Sequence, residues 1–396
     1  MLEYIPPEAV YHRAPLDDCA NALEPWLQAV ERFVKPQDED DLWGDLVRQT
    51  AASDAPADVG SPQNRQIVQE NGETSDFLHA GIERGRLQFA ELHYPETFSD
   101  EAELAKQLGE VAWILHLRAA VLAADEELTA AAGELIGLLR MGEMICNGDG
   151  QVLHYLIGAW IRRAAIQAIG RLAGQEGISR SALEGLLAAV SDSLDAPDGL
   201  ASCLRADLCL IALPQLDRTP TDGNLDLFIN RFLEAPDRPR LIRLRKQRGG
   251  GRDVSPRTQL ARRRQRIVAL LESHPQPLDK IATARLLGER VADTIRRLHP
   301  RPQASWLTWI APAQRLLRGG PHGAAEADAD VFAQLNMIFD EDTPAAREQF
   351  QRLTNPVGLV LAERLLPADA SQFAFQYQAN LHQTKKLLAK RLRRCM

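Results

Sequence analysis

The sequence predicts an all-α protein, a multi-helix array of antiparallel hairpins with a solenoid-like stack as one arrangement. Three observations point there. Ala and Leu are abundant while aromatic residues make up 6% of the chain, and Ala and unbranched side chains lose least freedom on entering a helix. Between Asp100 and Leu213, apolar residues recur at spacings of three, four and seven, the period of a helix buried on one side. Alternating β-branched and aromatic runs are scarce, so any sheet should be small.

Taken in order, a short helix runs from about Asp17 to Phe33, capped by Asp17 or Asp18 and stopped by Pro36. The small, polar stretch from Ala51 to Gln63 reads as an exposed linker. Helices follow from Pro62 to Asn71 and from Ser75 to Arg86, the second with Phe77, Leu78 and Ile82 on one face. Leu104, Leu108, Val111, Leu115 and Leu122 mark the next helix, whose acids Asp100, Glu101 and Glu103 suit the positive end of its dipole. A second strong helix carries Leu128, Leu135, Leu138 and Leu139 and ends near Asn147-Gly148.

A third, Gly150 to Leu172, is apolar on most sides and is expected to be the most buried. Its Leu153, Leu156, Ile157, Trp160 and Ile161 should face other helices, with Arg162, Arg163 and Arg171 outward or paired with acids. Ser179 and Ser181 can cap a fourth helix that stops before Pro197, and a fifth ends at Pro214. A further helix is expected from Asp222 to Leu233, then a glycine-rich loop over Arg240 to Pro256. Helices over Arg257 to Ser273, Asp279 to Leu298 and Ala368 to Arg394 complete the chain, the last after two proline-bounded segments. Four regions result: 1–98, helices and loops; 99–236, a central bundle; 237–256, a basic loop; and 257–396, a C-terminal helical region.

Several segments carry a resemblance. NALEPWLQAV, HAGIERGRLQFAELHYP, LRAAVLAADEELTAAAGELIGLLRMGEMI, HPQPLDKIATARLL and NPVGLVLAERLLPA together resemble an uncharacterised family of helical bacterial proteins. The resemblance implies architecture and no activity. Ala119, Leu122, Ala131, Leu135 and Leu138 are also similar in spacing to a degenerate tetratricopeptide helix pair, with small residues where two helices cross. The helix-ending proline of that repeat is absent, as is a second copy at its period.

Charge is unevenly placed. Through Asp237 there are 40 acidic and 17 basic residues, a balance of −23; from Arg238 onward 14 acidic and 29 basic residues give +15. Such polarity implies that the halves attract each other or that each meets a charged partner. The sharpest run is Arg238 to Arg266, with 12 Lys or Arg residues and one acid, Asp253. Its Arg243, Arg245, Lys246, Arg248, Arg262, Arg263, Arg264 and Arg266 are the candidate contacts to an acidic partner or a polyanion. No aromatic residue interleaves them to stack on bases. The following segment has a superficial helix-turn-helix look, with Leu278 to Leu287 and Val291 to Leu298 as its helices and LGER as its turn; a plain helical reading is favoured.

Other chemistry is thin. Five scattered cysteines without a CxxC pair argue against a disulfide framework or a zinc site. Glu143, Cys146, Asp149 and His154 lie close in sequence, but thiolate with hard carboxylates is an unusual metal set, and the neighbouring glycines mark a turn. Phosphate-loop, dinucleotide and nucleophile-elbow motifs are absent. No apolar run reaches the roughly 18–20 residues that span a bilayer, and the first residues lack the character of a secretory signal. The expectation is a cytoplasmic, non-enzymatic scaffold or protein-interaction module, with a protein partner, no membrane and no cofactor. The alternatives are nucleic-acid association through 238–266, and an enzyme whose site is assembled from distant residues.

Overall fold

The computed structural model describes residues 16–35, 60–89, 98–148, 150–196, 198–219, 221, 256–273, 276–298, 343–351, 353, 355, 357 and 370–394. Of the described residues 82% are helical, far above the usual third. The all-α class is thus observed. The expected linker up to Val59 and the segments Asp222 to Leu233 and Arg240 to Ser255 lie outside the described residues. The chain forms two compact units, Arg13–Ala206 with Ala370–Met396, and Met1–His12 with Asp207–Asp369.

In the larger unit the helices are α1 (Leu23–Arg32), α2 (Pro62–Glu70), α3 (Gly72–Arg84), α4 (Phe98–Ala124), α5 (Leu128–Asn147), α6 (Val152–Leu172), α7 (Arg180–Asp195), α8 (Leu200–Ala206) and α13 (Ala370–Arg394). Their starts follow local chemistry. Ser61 accepts from Asn64 N–H at 3.2 Å ahead of Pro62, and Ser179 accepts from Ala182 N–H at 3.1 Å, each satisfying a donor that the helix leaves unpaired. The turn Asp125–Glu127 returns the chain, so that α4 and α5 form a close antiparallel pair. Ala119, Ala131, Leu135 and Leu138 are buried in that pair and Leu122 is half-buried.

The tightest crossing is α5 on α6. A methyl group on Gly158 would stand 2.7 Å from the Gly142 carbonyl oxygen and 2.8 Å from Cys146 Sγ, so the two backbones touch where side chains are missing. Of the residues expected to face other helices, Ile161 is buried, Ile157 lies against Gly109 and Trp160 against Trp113 of α4, and the crossing turns a second face of α6 inward beside them. Leu153, Leu156, Ile157 and Trp160 are half-buried, while Tyr155, Gly158, Ala159, Ile161, Arg162, Ala165 and Ile169 face inward. Arg162, expected outside or paired with an acid, is 4% exposed. Small residues allow the closest approach, and that geometry overrides side-chain size.

Helix α13 packs on α6 and α7. Its Ala374, Tyr377, Leu381, Thr384 and Leu388 are buried, a three-four spacing that lines one face of a helix. Arg391 closes the contact. It donates from Nε to the Ala173 carbonyl at 2.8 Å and from Nη2 to those of Gly174 and Gln175, at the negative end of α6.

The smaller unit holds a wide helical turn at Asp207–Ala212, then α9 (Leu213–Arg218), α10 (Pro256–Ser273), α11 (Lys280–Leu298) and α12 (Pro344–Gln351). Pro214 starts α9 instead of ending a helix, because first-turn positions need no intrahelical N–H. Ile267, Leu271, Leu287, Ala292, Ile295 and Phe350 supply its core. Helix α11 runs unbroken through Leu287 to Arg290, which removes the turn a helix-turn-helix needs. Asp279 caps it, accepting from Ala282 N–H at 2.9 Å.

Candidate interaction face and buried arginine centre

Helix α13 contains no acid and six Lys or Arg residues: Lys385, Lys386, Lys390, Arg391, Arg393 and Arg394. The residues before Ala206 on which it packs are acidic in sum. On its outer side His382, Lys386, Lys390, Arg393 and Arg394 are exposed, with Leu387 40% exposed among them. Beside this stripe an open groove of about 400 Å³ runs between α7 and α13, lined by Leu194, Asp195, His382, Lys385, Lys386 and Ala389. This face is absent from the residues singled out in the sequence because the basic run of 238–266 is longer. The signal was present in KKLLAKRLRR, acid-free at helical spacing.

Of the residues proposed from sequence, Arg243, Arg245, Lys246 and Arg248 lie outside the described residues. Arg262, Arg263, Arg264 and Arg266 fall on α10 in the smaller unit; Arg262 is exposed and Arg266 half-buried.

Two buried charges in the larger unit are treated in opposite ways. Glu134 on α5, 7% exposed, receives both Arg118 Nε and His79 Nε2 at 3.0 Å, and Arg118 also donates to Ser75 Oγ at 3.0 Å. That network ties α3, α4 and α5 together with the carboxylate compensated. Arg162 on α6 has no carboxylate within salt-bridge distance among the described residues. Its guanidinium carbon lies 4.0 Å from the centre of the Tyr377 ring and 5.6 Å from that of Tyr155, a cation held on aromatic faces.

Burial opposes the charge of Arg162, but the neighbouring Cys146, Tyr377, Tyr155 and Asp198 more than offset that effect and hold its pKa above the ordinary value. Burial pushes the Glu143 carboxyl up to about 7, against the pull of Arg162 and Arg140, and pushes the Cys146 thiol up to about 12. Tyr155 donates its hydroxyl proton to Asp198 at 3.2 Å. Burial also holds His116 down to about 3, with Arg171 adding to the effect.

Of the sequence-adjacent set Glu143, Cys146, Asp149 and His154, Asp149 is outside the described residues. His154 instead accepts the Gln151 N–H on Nδ1 at 3.1 Å and lies 3.9 Å from the Phe89 ring. Among the described residues no three His, Cys, Asp or Glu side chains gather in a metal-binding arrangement, and no single helix is long and apolar enough to cross a membrane. Comparison with protein-family models, with curated proteins and with solved structures finds no match.

Proposed function

We propose that this chain is a non-enzymatic helical interaction module and that α13 presents its docking face to an acidic protein segment. The observation that carries the reading is the exposed, acid-free stripe from His382 to Arg394 beside the α7–α13 groove. Leu194, Ala389 and the exposed Leu387 add apolar surface for an amphipathic partner, while the Lys and Arg residues select acids. Buried Cys146 and Cys203, neither of them in a disulfide, fit the reducing cytoplasm that this reading assumes.

The test is a titration of the full chain with a fluorescent, acidic amphipathic peptide and with mixed-sequence DNA and RNA at near-physiological salt. The peptide should bind, and the triple variant Lys386→Glu, Lys390→Glu, Arg393→Glu should lose it. Binding should also weaken as salt shortens the screening length to ~3 Å near 1 M. Tighter nucleic-acid binding that disappears in the same variant would replace the acidic protein by a polyanion.

A further inference from the structure

The unpaired arginine identifies a second site, independent of the docking face. Arg162 Nε and Nη2 are both buried and have no hydrogen-bond partner among the described residues. These two nitrogens share one edge of the guanidinium, the edge that offers parallel N–H groups to two oxygens of a carboxylate or phosphate. The ring of Tyr377, 4.0 Å from the guanidinium carbon, restrains the plane of that fork.

Other polar groups converge from separate helices. Among the described residues Glu143 Oε1 on α5 is buried without a hydrogen-bond partner, and the hydroxyls of Ser193 on α7 and Tyr377 on α13 lie close enough to interact with each other but in strained hydrogen-bond geometry. Glu143 and Tyr377 both lie within electrostatic reach of Arg162. The fold gives Glu134 the Arg118 guanidinium and the His79 ring as direct partners, whereas among the described residues no carboxylate lies within salt-bridge distance of Arg162, and a buried charge is stable only when something balances it.

We propose that Arg162, with the hydroxyls of Tyr377 and Ser193, binds a small oxyanion, a carboxylate or phosphate group held in bidentate fashion on the Nε–Nη2 edge. The Glu143 carboxyl is a further donor when protonated, which burial favours.

The experiment is thermal unfolding of the full chain against acetate, phosphate and chloride, each titrated at constant ionic strength. Binding predicts a saturable rise of at least about 3 °C with an oxyanion, smaller with chloride, a single atom that cannot offer each of the two parallel N–H groups its own acceptor oxygen. Acetate against phosphate distinguishes the two sources of the oxyanion. Arg162→Met should abolish the rise. Should that variant fail to fold, Tyr377→Phe keeps the ring and removes one donor, raising the half-saturating concentration about 3- to 10-fold. Equal responses to all three salts, no saturation, or a response unchanged in the variants would overturn the site and leave water as the partner of Arg162.

Discussion

Replacing Gly158 with alanine puts a methyl group 2.7 Å from the Gly142 carbonyl oxygen, 2.8 Å from Cys146 Sγ and 2.9 Å from the Cys146 nitrogen. Two of the three obstacles are backbone atoms, so no rotamer change relieves them. Restoring an ordinary 3.4 Å contact requires α5 and α6 to part locally by about 0.7 Å. Overpacking of this kind costs ~1–3 kcal/mol, and rigid obstacles place it toward the upper end. Against that stands a gain of ~1 kcal/mol from alanine over glycine in a helix interior. The expected net loss is therefore ~2 kcal/mol.

Gly170, about three and a third turns further along the same helix, is the internal control. Nothing lies within 4 Å of its missing Cβ, so Gly170→Ala should keep the propensity gain of ~1 kcal/mol. The two variants should differ by ~3 kcal/mol, or roughly 6–12 °C in melting temperature at roughly 2–4 °C per kcal/mol. Thermal and urea unfolding followed by far-UV circular dichroism would measure this. A Gly158→Ala protein as stable as wild type, or indistinguishable from Gly170→Ala, would refute the backbone crossing.

Arg391→Met removes charge-assisted donation to the carbonyls at the end of α6 and should cost ~1–2 kcal/mol. Arg391→Lys should recover part of that, and an unchanged urea midpoint in both would contradict the cap. Glu143, raised from 4.5 to about 7 by burial, binds its proton more tightly folded than unfolded. Its contribution is therefore most favourable below pH 4.5 and is lost as pH rises through about 7. Relative to Glu143→Gln, wild type should lose up to ~3 kcal/mol across that window; parallel stability curves would show the carboxyl to be solvated. In native protein, Cys19 should accept a thiol reagent while buried Cys146 and Cys203 remain unmodified, as read by site-resolved mass spectrometry.

The sequence by itself determined where most of the described helices lie and what starts several of them, although Asp17 caps only a short turn ahead of α1 and α12 was not foreseen. Ser61-Pro62, Ser179 and Asp279 announce helices through capping that reaches at most a few residues. The four-residue spacing from Leu104 to Leu108 and the long Ala/Leu pair after it are likewise local facts, so α4 and α5 were legible. Pro214 misled because proline's effect depends on its place in the turn, and that place is set by the preceding wide turn.

Tertiary structure decided the rest. The inward face of α6 is set by the meeting of Gly142 and Gly158, which are separated by a turn and come together only when two helices pack. Arg162 is buried in consequence, although its arginine-rich neighbourhood reads as an outward face. The candidate site draws Glu143, Arg162, Ser193 and Tyr377 from four helices, and the last arrives from the far end of the chain. Periodicity shows that α13 has a face to bury. Packing energy summed over the whole surface selects α6 and α7 as its partners, and no local spacing encodes that choice.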